Sequence, residues 1–306
     1  MGSELIGVRS ARLGACAVFA AVTIWGFTNT LVKLTSLPPL TFAASRLWLG
    51  SALLLAALVV SGRRLSWRIV QLSAPGGLIL GVEIAFFFSA LKHTSIADVA
   101  VISALQPALV LIVAGPLFGE RITRGQVGWT AVSLVGIAVV TVGSAGTPAW
   151  SLAGDLLAVG SLFAWTAYFL VSKHARASVP TIQYMAVVFP FAAAVVTPLT
   201  VLTGQPLLGI DTGDAEYLAL FVLGASVGHL LVAWAHPSVD ISVLSLLTLA
   251  QPVVAGLAAL LILGEPLTGI MVIGGIVVIA ALAAVVRGSV RIGRAKELET
   301  PEPPWV

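Results

Sequence analysis

Hydrophobic positions along this chain gather into ten long runs, separated by short polar breaks. Uncharged stretches over residues 13–32, 99–119, 241–264 and 266–286 each reach the roughly 20 residues that a helix needs to cross about 30 Å of hydrocarbon. The pattern predicts membrane-spanning helices at 13–35, 39–61, 69–91, 97–118, 125–144, 151–172, 180–202, 215–235, 240–263 and 267–287. No run has the alternation of a half-buried strand, so the predicted fold class is an all-α polytopic membrane protein.

The runs also repeat. Gln106-Pro107 precedes Gly119-Glu120, and Gln251-Pro252 precedes Gly264-Glu265, with fourteen residues from Gln to Glu in both copies. Trp25 stands eight residues before Lys33, and Trp165 eight before Lys173. Gly81 to His93 parallels Gly224 to His236, and Asp98 opens the fourth run roughly as Asp240 opens the ninth. The period is five runs, an odd number, so the second copy enters the membrane from the opposite side. The expected architecture is two inverted five-helix repeats, residues 1–146 and 147–306, joined by the Gly/Pro/Ser linker at 144–148. Repeats of that kind mark alternating-access carriers, here expected to rock the two halves about a midplane cavity.

Composition agrees: 58% of the 306 residues are apolar and 9% charged, against about 25% charged in soluble proteins. With the N-terminus inside, thirteen basic residues, among them Arg12, Arg63, Arg64, Arg68, Arg121, Arg124, Lys173, Arg176 and Arg287, fall on inner segments, and only Lys33 and Lys92 fall outside. This bias predicts an inner-membrane, multi-pass protein with both termini cytoplasmic. It also accounts for the net charge of +3, so no nucleic-acid partner is implied. The expected partners are the lipid bilayer and a small-molecule substrate, with the protein a monomer or weak homodimer. Cys16 is the only cysteine, so no internal disulfide is possible. The first run reads as an uncleaved anchor, and the polar segment after Arg287 as a short, poorly ordered tail.

The Trp25-Gly26 pair, Arg46 in the second run and the duplicated Gln-Pro then Gly-Glu pattern resemble the drug/metabolite transporter superfamily, EamA type. The resemblance covers essentially the whole chain. It implies ten helices in two inverted repeats, a central cavity lined by spans one, three, four, six, eight and nine, and export or exchange of small metabolites such as amino acids. The duplication departs from symmetry in spans two and seven, where Arg46 has no basic counterpart near Ala186.

Candidate chemistry lies on polar residues inside the runs. Glu83 sits deep in the third, where an ionisable group costs about 2.5 to 3.5 kcal/mol and so faces protein or water. It is a proton-coupling group, half of a structural ion pair with Arg46, or a water-exposed carboxylate of no special role. Arg46 has the fork for a carboxylate or phosphate, but the resemblance sets its helix at the periphery, which favours a structural role. His229 in the eighth span is a second proton-coupling candidate. Trp25, Thr28 and Asn29 share one face of span one, and Trp165, Tyr168 and Ser172 one face of span six. Trp25, Asn29, Glu83, Gln106, Trp165, Tyr168, His229 and Gln251 are therefore the candidate substrate-binding residues. Pro107 and Pro252 break helices at matching points of the two halves, while Gly119 and Gly264 read as helix ends and hinges, with their glutamates as caps. The pairs Gly115/Gly119 and Gly224/Gly228 have the spacing of close helix packing. Trp48, Trp67, Trp150 and Trp234 read as interface anchors. No metal-ligand set, cofactor motif or nucleophile and base constellation appears, which argues against an enzyme and leaves an uncoupled facilitator or a drug/xenobiotic exporter as the alternatives.

Overall fold

A computed structural model describes residues 2–94, 96–143, 151–207 and 209–299, with side chains for all of these except 2–9, 92, 96–97 and 289–299. The linker at 144–148, Trp150, the basic side chains at 9, 92, 291, 294 and 296, and the last residues of the tail lie outside that description. Among the described residues ten helices are long and apolar enough to cross a membrane: α1 Ser10–Leu34, α2 Pro39–Val60, α3 Trp67–Leu91, α4 Asp98–Phe118, α5 Arg124–Gly143, α6 Leu152–Arg176, α7 Thr181–Leu202, α8 Thr212–Ala235, α9 Ile241–Leu263 and α10 Gly269–Gly288. All ten predicted runs are present.

Two ends differ from the sequence reading. Helix α6 continues four residues past 172, through Lys173, His174 and Arg176; basic side chains in a last turn complement the helix dipole, so charge there extends the helix. Likewise the helix of α10 runs on to Glu299, beyond the Arg287 at which a poorly ordered tail was expected, and no proline occurs between positions 267 and 300 to stop it.

Helices α4 and α9 are broken at the same place. The fourth comprises Ile96–Ala104 (α4a) and Gln106–Phe118 (α4b), and the ninth comprises Ile241–Leu247 (α9a), a tight 3-10 turn at Thr248–Ala250, and Gln251–Leu263 (α9b). In both, Gln-Pro opens the second segment, where the missing proline N–H falls among groups that have no helical partner. Both second segments end on a glycine in the left-handed region, Gly119 at φ 67° and Gly264 at φ 68°, which only glycine adopts without strain.

The repeats are inverted in the packing itself. Equivalent helices α5 and α10 lie antiparallel: the Thr268 hydroxyl donates to the Gly143 carbonyl at 2.9 Å, and further along Gly136 rests against Gly274 and Val278. Helices α2 and α7 do the same, with the Thr200 hydroxyl donating to the Leu40 carbonyl at 3.2 Å and Gly50 against Phe189. The copies are also interleaved. Helix α1 packs on α8 and α9b, while its counterpart α6 packs on α3 and α4a, so each bundle mixes both repeats and no plane separates residues 1–146 from 147–306. Gly224 and Gly228 serve this internal packing, since a Cβ there would run into Thr28 and Trp25 of α1. Gly115 and Gly119 have no comparable close neighbour.

Candidate functional site

Five of the chain's polar and aromatic side chains meet in the middle of the bundle. Trp25 of α1 lies 5.0 Å from the His229 ring of α8 and 6.1 Å, edge-on, from Trp165 of α6. Trp165 stacks on Tyr168 at 5.4 Å, and Phe189 of α7 closes the far side of His229 at 5.4 Å. The close approach of α1 to α8 depends on Gly228, where a side chain would strike the Trp25 indole nitrogen.

Arg46 and Glu83 stand beside this ring. The guanidinium of Arg46 sits between Phe88 of α3, at 5.6 Å, and Phe221 of α8, at 5.3 Å, an arrangement in which ring faces attract the cation. The Glu83 carboxylate accepts a hydrogen bond from the Ser161 hydroxyl at 3.0 Å. Arg46 is within electrostatic range of both Glu83 and His229, and Glu83 of Tyr168. Yet the two charges do not form a close ion pair: among the described residues that contact exists only between Lys33 and Glu265, and Arg46 Nε is buried with no hydrogen-bond partner. Both side chains are only partly covered. An arginine and a glutamate held apart among aromatic walls have the opposite charges that one bound zwitterion would need.

Of the residues anticipated from the sequence, Trp25, Trp165, Tyr168, His229 and Glu83 come together here, and Arg46, expected at the periphery, joins them. Gln106 is 1% exposed, and neither its amide oxygen nor its nitrogen has a partner. Gln251 is half-buried at the matching position, and Asn29, one turn beyond Trp25, is exposed; neither makes a recorded contact with the ring. Phe42, Phe88, Phe189, Phe221 and Ser161 were not singled out. Their signal was present as spacing: Phe42 and Arg46 lie one helical turn apart, and Phe221 and His229 two turns apart.

The two ends of the bundle differ sharply. On the side predicted to face the cytoplasm, the Glu120 carboxylate at the end of α4b accepts from the backbone N–H of Ile241 at 2.6 Å, that of Ser242 at 3.1 Å and the Ser242 hydroxyl at 2.7 Å. It thereby caps the start of α9a, where backbone donors lack partners. Lys173, at the end of α6, donates to the carbonyls of His236 and Val239 in the link between α8 and α9. Helix α4b packs directly on α9a. His236 is 1% exposed and neither ring nitrogen has a partner. Burial, with Lys173 and Arg176 nearby, pushes its pKa down from 6.5 to about 3.

At the opposite end the equivalents, Lys33 and Glu265, bond to each other at 3.0 Å, with about half of each side chain exposed. Among the described residues α9b and α4a, the counterparts of the packed pair, scarcely touch. The link between α3 and α4 is held instead to α6, through Thr94 and Asp155 at 2.8 Å. The bundle is thus sealed on the predicted cytoplasmic side and parted on the other.

Comparison with known proteins agrees with this frame. The model of the EamA-like transporter family matches twice, at residues 12–142 and 152–287. An uncharacterized transporter, YwfM, of Bacillus subtilis is 28% identical over 86% of this chain and 93% of its own length. The aromatic amino acid exporter YddG of Ancylobacter novellus is 29% identical over 78% of this chain and 85% of its own. A probable amino-acid metabolite efflux pump of Salmonella typhimurium is 26% identical over 85% and 90%. One solved crystal structure superposes with a TM-score of 0.76 at 24% identity, covering 94% of this chain and 99% of the other, which shows a shared fold. Two copies of the family's unit, in ten apolar helices of that fold, establish that the chain belongs to the EamA-like transporter family.

Proposed function

We propose that this transporter exports or exchanges a small amino-acid-like metabolite across the inner membrane by alternating access, with both termini in the cytoplasm. The observation that carries the substrate class is the separated pair at the centre. Arg46 would take the substrate carboxylate, Glu83 its ammonium group, and Trp25, Trp165, Tyr168 and Phe189 its side chain. The names of two relatives, an aromatic amino acid exporter and a probable amino-acid metabolite efflux pump, point the same way. Glu83 and His229 are the groups through which a proton would couple to transport, and Gln106 and Gln251 the amides exposed to substrate as the broken helices move.

The two ends supply a mechanism for alternation. A pseudo-twofold exchanges Glu120 with Glu265, Lys173 with Lys33, and the start of α9a with the start of α4a. The second state is then obtained by exchanging the roles: Glu265 caps the first amides of α4a, Lys33 takes carbonyls at the end of α3, and Lys173 and Glu120 pair with each other beside an open inner mouth. The bodies that move are the mixed bundles α1/α8/α9 and α6/α3/α4, while residues 1–146 and 147–306 are units of sequence and symmetry.

Counterflow in reconstituted vesicles tests the reading. Labelled aromatic and aliphatic amino acids should exchange saturably. Arg46→Gln should weaken zwitterions by about tenfold or more, the loss of a charge-assisted contact, while leaving carboxyl-blocked analogues unaffected. Uptake that never saturates would favour an uncoupled facilitator, and counterflow of uncharged aromatic compounds alone a xenobiotic exporter. Unchanged pH dependence in Glu83→Gln would remove that carboxylate from coupling.

A further inference from the structure

A second basic site lies away from the central ring, at the predicted cytoplasmic boundary. A groove of about 430 Å³ opens between the α2–α3 turn, the ends of α6 and α8 and the start of α7, lined by Arg63, Arg176, Pro180, Thr181, Ile182 and Trp234. No acidic residue lines it, and its volume falls within the roughly 300–1,000 Å³ of small-molecule sites.

The groove is a built structure. Arg176 is 7% exposed and held on two sides: Nε donates to the Ala233 carbonyl at 2.7 Å and Nη2 to the Thr181 hydroxyl at 2.6 Å. Its Nη1 makes no hydrogen bond to the described residues, and the side chain lines the groove, so a buried, oriented cation keeps donors for a ligand. Gln183 Nε2 donates to the Arg64 carbonyl at 2.6 Å, fixing the turn that carries Arg63 over the first turn of α7. Immediately below Arg63, Val59 and Val60 are 76% and 88% exposed, and Trp234 is 47% exposed. That combination of basic groove, interfacial tryptophan and outward-facing valines is what a phospholipid requires, with its phosphate in the groove and its chains along the valines.

We propose that this groove binds the phosphate of an anionic membrane lipid, through Arg176 and Arg63, and so ties the start of α7 to the ends of α6 and α8. Arg176 hydrogen-bonds α8 at Ala233, three residues before the His236 carbonyl that Lys173 grips, so an occupied groove braces the sealed end.

Native mass spectrometry and melting of the purified full chain in detergent test this, and neither depends on orientation or on the transported substrate. Phosphatidylglycerol should be retained and should raise the melting temperature, while phosphatidylcholine should do neither. Arg63 is on an exposed turn, so Arg63→Gln should fold and bind phosphatidylglycerol about tenfold more weakly, Arg63→Lys should recover most of that affinity, and Arg287→Gln, at a position that does not line the groove, should bind as the unaltered protein does. Equal retention of the two lipids, or equal losses in Arg63→Gln and Arg287→Gln, would overturn the site. Displacement of phosphatidylglycerol by inorganic phosphate alone would assign the groove to a soluble anion and overturn its lipid occupant.

Discussion

The two ends of the bundle are built from the same residues and make different bonds with them. Glu120 satisfies three donors at the start of α9a, whereas Glu265, in the same position of the other repeat, satisfies one lysine in half-exposed surroundings. Sequence symmetry therefore does not imply conformational symmetry. One pattern of side chains is compatible with a sealed and a parted end. Energetically the ends are unequal too. Capping buried amides with a carboxylate is worth more than a half-exposed ion pair, which contributes about 0–1 kcal/mol.

The strongest way to break this comparison is Glu120→Gln. A neutral amide keeps the shape but weakens the charge-assisted bonds by about 2 kcal/mol, shifting the ratio of open to sealed inner ends roughly thirtyfold. Thiol labelling of a cysteine placed behind the seal, in a Cys16→Ser background, should accelerate accordingly; an unaltered rate would remove the cap from the mechanism. Glu265→Gln sharpens the contrast. It should leave melting within about 1 kcal/mol of the unaltered protein, because the exposed pair stabilises little. Turnover should nevertheless fall equally in Glu265→Gln and Glu120→Gln, because in the proposed exchange each carboxylate seals one of the two states.

Smaller effects separate caps from seals. Gly119→Ala and Gly264→Ala force an L-residue into φ near +67° and should each cost about 1–2 kcal/mol of stability. The costs should be equal, since the two glycines end equivalent helices. Unequal melting shifts would place the asymmetry in the helix ends and not in the carboxylates. The smallest effect concerns His236. Its folded pKa is lowered from 6.5 to about 3, so below pH 6.5 the unfolded chain binds a proton that the folded chain rejects. Stability attached to this residue is fully present above pH 6.5 and declines as pH falls toward 3. Phe at 236 should flatten that decline in melts between about pH 7.5 and about pH 5.5, and an equal decline in both proteins would contradict the assignment.

Much of the fold was legible because membrane spans declare themselves by length and apolarity, and because Gln-Pro and Gly-Glu recur at one spacing in both halves. The broken helices follow from the prolines at 107 and 252, and the aromatic faces of Trp25 and of Trp165 and Tyr168 from helical spacing together with the inverted repeat. The place of Arg46 was not legible: which face of α2 meets α3 and α8 is decided by packing between helices far apart in sequence. Glu120 reads locally as the cap of its own loop, yet its partners are 121 and 122 residues away on α9. Nor could a symmetric pattern of residues announce which end is sealed, since that choice belongs to the conformation. The interleaving of the repeats, which puts helices of both halves into each bundle, is a property of contacts and left no trace in composition.

Exchange between the two ends is the central claim, and one distance experiment addresses it. Spin labels at positions 121 and 237 would span the sealed end, and labels at 93 and 266 the parted end, in vesicles with and without saturating substrate. Widening of the first pair should accompany narrowing of the second, in the same fraction of molecules. Movement of both pairs in the same sense, or of one while the other stays fixed, would contradict an exchange of roles.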